Sequence, residues 1–71
     1  MRWRKIRTEK WVDYRVSVEG FDLHIMRRVN QKNATWCIHR LNDFPIMGMG
    51  NSVSACKSEI LKKLKMLNSP I

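Results

Sequence analysis

The stretch WVDYRVSVEGFDLHIMRRV constrains this chain more than any other. Across residues 11–18, Val12, Tyr14, Val16 and Val18 fall on one side, and Trp11, Asp13, Arg15 and Ser17 on the other. Alternation of period two, carried by β-branched and aromatic residues, reads as a half-buried strand. Glu19 and Gly20 fit a two-residue hairpin loop, with Gly20 free to take a positive φ. Alternation then resumes through Phe21, Leu23, Ile25 and Val29, with Arg27 as the exception. Folding the two runs about that loop sets Val18 against Phe21, Val16 against Leu23 and Tyr14 against Ile25. The other face gains Ser17 with Asp22, Arg15 with His24, Asp13 with Met26 and Trp11 with Arg28. A slip of one residue would mix the two sets, so the pattern itself fixes the register.

The polar run NQKNA ends this hairpin, and TWCIHRL continues as a third strand with Trp36 and Ile38 inward and Thr35, Cys37 and His39 outward. Pro45, Gly48 and Gly50 make NDFPIMGMGN a loop or a short edge strand. In NSVSACKSEILKKLKML, Val53, Cys56, Ile60, Leu64 and Leu67 recur at helical spacing and form one apolar stripe. Asn51 or Ser52 supplies the N-cap oxygen, Glu59 precedes Lys63 by the favourable four residues, and NSPI ends the helix. Residues 1–10 read either as a fourth strand or as a flexible basic arm. If a strand, they place Trp3, Lys5 and Arg7 on one side and Arg2, Arg4, Ile6 and Thr8 on the other. The expected fold is α+β, a single domain over residues 1–71. It is a three-stranded antiparallel meander, four-stranded if residues 1–10 join it, with one C-terminal helix packed on one face. That helix covers Val12, Tyr14, Val16, Leu23, Ile25, Trp36 and Ile38, and leaves the opposite face open.

With 71 residues the chain has room for one domain, and a pocket of the usual enzyme volume would consume most of its core. No nucleophile elbow, phosphate loop or paired-carboxylate arrangement is present, so no catalytic residue is assigned and the chain reads as a non-enzyme. The two glycines before the helix match no nucleotide motif. His24, Cys37 and His39 could share the open face, yet no C-x-x-C or H-x-x-H spacing accompanies them, so neither a metal nor a cofactor is expected. Cys37 and Cys56 are the only cysteines and read as reduced packing residues. No apolar run reaches the length of a membrane span, and no apolar segment follows the basic start as in a signal peptide. A cytoplasmic location and no membrane partner are expected.

The formal net charge is +8, of which residues 1–10 contribute +4, residues 51–71 contribute +3 and the long middle only +1. A balance this basic makes polyanions the natural partners. The open face offers Trp11, Arg15, His24, Arg28 and His39, with Arg40 close by in sequence and Arg2, Trp3, Arg4, Lys5 and Arg7 supplied by the N-terminal stretch. Arginine beside tryptophan suits cation–π contact, base stacking or a protein hot spot.

The segments RWRK, WVDYRVSV, HIMRRV, TWCIHR and GNSVSACKSEIL, in that order, resemble the layout of the small DNA-binding domains at the N-termini of phage and transposon integrases, and of plant AP2-type domains. The resemblance implies a sheet lying in the major groove, with Arg and Trp side chains on DNA. In size and style the chain also resembles small bacteriophage and prophage proteins, many of which bind a host protein. Two functions are therefore expected in turn. The first is a non-enzymatic nucleic-acid-binding module of phage or mobile-element type, on DNA rather than RNA. The alternative is a small inhibitor or adaptor that targets a host protein through Trp11, Met26 and their neighbours.

Overall fold

The structure is a computed structural model that describes residues 2–18 and 20–67. Five strands precede one helix: β1 (Arg4–Arg7), β2 (Trp11–Val18), β3 (Phe21–Arg28), β4 (Ala34–Arg40), β5 (Ile46–Gly50) and α1 (Val53–Leu67). They form one antiparallel sheet in the order β1-β2-β3-β4-β5, each strand paired with its neighbour in sequence. The class is α+β as expected, but the sheet has five strands, not three or four. Residues 4–7 pair with β2, so they are a strand and not a loose arm. Residues 46–50 pair with β4 despite their glycines, and Pro45 lies just outside the strand, where its missing N–H costs the ladder nothing.

The β2–β3 register is the expected one at all eight positions, from Trp11 opposite Arg28 to Val18 opposite Phe21. Position 19 of the expected loop lies outside the described residues, and Gly20 takes φ of 81°. Arg27, the exception in the alternation, points to the helix side and closes the β3–β4 turn. Its Nη1 donates to the carbonyls of Arg28, Val29 and Gln31, each at 3.3 Å. At the β4–β5 turn Asn42 takes the left-handed φ of 61°, a conformation that asparagine tolerates.

Leu23, Ile25, Ala34, Trp36 and Ile38 on the sheet and Cys56, Ile60 and Leu64 on α1 form the core. Tyr14 and Val16 pack partly buried against it, and Val12 is buried as well. The helix lies over β3, β4 and β5. Ser52 caps it: the Ala55 N–H donates to Ser52 Oγ at 3.1 Å. Glu59 meets Lys62 at 3.8 Å rather than the expected Lys63. This is an exposed pair worth little to stability. The expected stop at residues 68–71 lies outside the described residues.

Trp36 and Gly48 face each other across β4 and β5. A Cβ at position 48 would overlap the Trp36 indole, so the large ring is housed only because its cross-strand partner has no side chain. No helix among the described residues is long and apolar enough to cross a membrane.

The helix phase generates a direct test. Ile60, which is fully buried, should lose about 2–5 kcal/mol of stability on change to Ala. Lys62→Ala should change stability by less than about 0.5 kcal/mol. Denaturant titration of both variants checks this, and equal midpoint shifts would contradict the observed phase.

Candidate nucleic-acid interface

The pleat sorts the cations of the sheet between its two faces. On the open face Arg4 lies directly opposite Arg15, Arg15 opposite His24, and His24 opposite Cys37. One pleat along, Ser17 faces Asp22, which faces His39. Twist brings these rows around a groove of about 740 Å³ lined by Arg2, Arg4, Arg15, Asp22, His24 and His39.

Two carboxylates share this face, and neither sits in an ion pair with arginine. Asp22 accepts a hydrogen bond from the Ser17 hydroxyl at 2.8 Å. Asp13 lies 3.6 Å from His24 Nε2, both side chains being one-fifth exposed. Among the described residues no ion pair engages Arg2, Arg4 or Arg15; the pairs between permanently charged groups are Arg40 with Asp43 and Lys62 with Glu59. Like charges directly opposite each other on a sheet are destabilising. The Arg4–Arg15 juxtaposition is therefore a repulsive element that an anion in the groove would relieve.

At the other end of the open face, the Arg28 guanidinium stacks 5.2 Å from the Trp11 ring centre. The β1–β2 turn fixes Trp11 there. The Trp11 N–H donates to Thr8 Oγ1 at 3.0 Å, and the Thr8 N–H donates to the Trp11 carbonyl at 2.8 Å.

The remaining expected residues lie elsewhere. Lys5 and Arg7 face the helix side of β1, opposite Tyr14 and Val12. Lys5 sits 5.9 Å from the Tyr14 ring, and Lys57 from α1 reaches both Tyr14, at 5.7 Å, and Trp3, at 5.5 Å. Trp3 is thus packed partly buried against the core side and is not on the open face with Trp11. Arg40 also faces the helix side, opposite Phe21, and is held in the β4–β5 turn by Asp43 at 3.2 Å and the Phe44 carbonyl at 3.3 Å. Sequence reasoning left Ser17 and Lys57 out of the candidate set. Ser17 is signalled by its cross-strand place opposite Asp22. Lys57 gives no local signal, because its role depends on how α1 crosses the sheet.

Cys37 and Cys56 are both free and buried. Cys37 Sγ lies 3.2 Å from His39 Nε2, and the Cys56 thiol donates to the Ala34 carbonyl at 3.6 Å. No group of three or more His, Cys, Asp or Glu among the described residues is placed to hold a metal ion. No protein-family model matches the chain, and no curated protein or solved structure shows significant similarity to it.

Burial raises the pKa of both thiols above the ordinary range; at Cys56 a backbone hydrogen bond from Gly50 opposes this and the Glu59 charge adds to it. A raised folded-state pKa means that the native state favours the protonated thiol. The stability contribution is complete below the unfolded thiol pKa of about 8.5 and is lost as pH rises through the folded value. Both cysteines should therefore resist a thiol-reactive chromogenic disulfide at neutral pH and react once denaturant is added. Rapid reaction of either in the native state would contradict its burial.

Proposed function

We propose that this chain is a non-enzymatic nucleic-acid-binding module of the phage or mobile-element type, with duplex DNA as its ligand. Phosphates of the backbone sit in the groove over Arg2, Arg4 and Arg15. Trp11 and Arg28, further along the same face, meet sugar or base edges. Lys5 and Arg7 on the reverse of β1 extend the positive edge. The observation that carries this reading is the facing pair Arg4 and Arg15, which lacks any carboxylate partner among the described residues. Both arginines are exposed, so their repulsion is modest; what the pair offers an anion is two adjacent cations that no carboxylate pairs with among the described residues.

Asp22 lines the same groove and keeps its charge while it accepts from Ser17, so it offsets part of the positive field there, whereas Asp13 lies toward His24 and outside the groove lining. Binding of this kind is dominated by counterion release, and each neutralised phosphate contributes about −0.9 to the slope of log affinity against log salt.

Arg2→Ala, Arg4→Ala and Arg15→Ala combined should flatten that slope by about 2–3 units and weaken binding on all sequences alike. Fluorescence anisotropy on labelled duplexes from low to high salt checks this. Binding no tighter than about 100 μM at low salt, below ordinary non-specific affinity, would end the nucleic-acid reading. A protein retained from lysate after nuclease treatment and lost on Trp11→Ala would instead support a host-protein target.

The repulsive pair makes a second forecast for the protein alone. At low ionic strength Arg4→Ala should not lower the melting temperature, and added polyphosphate should raise it for the parent chain more than for this variant. An equal rise in both would show that the anion sits elsewhere.

A further inference from the structure

The two edges of the sheet differ in kind. β1 is RKIR, with three of its four residues cationic and all four exposed. Charge of one sign along an edge is a standard guard against pairing with another strand. β5 is IMGMG and carries no charge. Met47 and Met49 project from it onto the open face, 64% and 72% exposed. An uncharged, apolar edge with free backbone donors and acceptors is a template for strand addition.

The helix side of the same edge is open as well. A groove runs beside β5 between the strand and α1, lined by Trp36, Gly48, Gly50, Ala55 and Ser58 among others. Trp36 is only 4% exposed, yet its indole Nε1 has no hydrogen-bond partner. Buried donors of this kind are normally satisfied.

We propose that β5 pairs antiparallel with β5 of a second copy of this chain, about a twofold axis at Gly48, joining two five-stranded sheets into one. Symmetry about Gly48 sets Met47 against Met49 of the other copy, so the exposed methionines cover each other on the open face. On the helix side Ile46 falls beside Gly50 of the other copy, a large side chain against none, and the two glycines at position 48 meet at the centre. This is the self-complementarity that a twofold interface requires. The twofold match of side chains selects a second copy, and the charge pattern permits it. A chain of net charge +8 can meet its own kind only where cations are lacking. β5 has none, and the pairing sends both cationic β1 edges to opposite ends of the joined sheet. An acidic partner would find no cation on this strand.

Sedimentation equilibrium of the full chain over about 5–500 μM tests the proposal, since self-association follows mass action. A dimer is expected, with β5 amides that exchange more slowly as concentration rises. Met47→Lys with Met49→Lys, at positions exposed in the single chain, should keep the circular dichroism spectrum and weaken dimerisation at least tenfold. Ile6→Lys with Leu61→Lys adds the same charge at exposed sites away from β5 and should leave dimerisation within about threefold of the parent. A monomer throughout the range would overturn the proposal. So would a dimer indifferent to the β5 lysines, or one weakened equally by both pairs.

Discussion

The pairing of β2 with β3 is the constraint from which every other placement descends. Because the pleat has period two, one choice of partner for Val16 decides the side on which each residue of the sheet lies. Setting Val16 on Leu23 puts Tyr14, Ile25 and, one strand further, Trp36 toward α1. The same choice puts Arg15, His24 and Cys37 away from it. The apolar face and the basic face are thus one decision. A shift that exposed Ile25 would also bury Arg15, and the cost of stranding a guanidinium in the core reinforces the cost of losing the apolar contact.

The sheet also separates charge along its width. Cations are densest on β1, with three in four residues, and β5 has none. The helix covers β3, β4 and β5, so β1 gains little from the core and is held chiefly by its ladder with β2 and by the Trp3, Tyr14 and Lys57 cluster. A strand so lightly covered can carry many cations, because their side chains stay in water on both faces. The groove arginines therefore lie on a different half of the sheet from the helix-covered core, and their substitution has little reason to disturb the packing of Ile60 against the central strands.

Legibility in the sequence followed the strength of the local signal. The β2–β3 hairpin and the α1 stripe were readable because alternation and helical spacing each run over many residues with few exceptions. The sequence of β5 reads equally as loop or strand because Gly48 and Gly50 supply no side chains to alternate, and Gly48 is explained only by the ring of Trp36 across the sheet. β1 is ambiguous in sequence because a strand of exposed cations looks the same as a solvated arm. Within the candidate site, Arg15, His24 and His39 on one face follow from alternation alone. The departure of Trp3 and Arg40 to the helix side follows equally from alternation, once the strands that carry them are extended. Tertiary partners such as Lys57 for Trp3 have no trace in local pattern.

The order of the elements along the chain has a consequence for synthesis. All strand pairings join neighbours in sequence, so the sheet can assemble hairpin by hairpin as it leaves the ribosome, with short loops to close. Its apolar face, however, is covered by α1, which is translated after all five strands. Until those 15 residues emerge, Leu23, Ile25, Trp36 and Ile38 have no partner layer. The nascent sheet is then an open apolar surface of the kind that chaperones hold, and completion of this fold awaits α1.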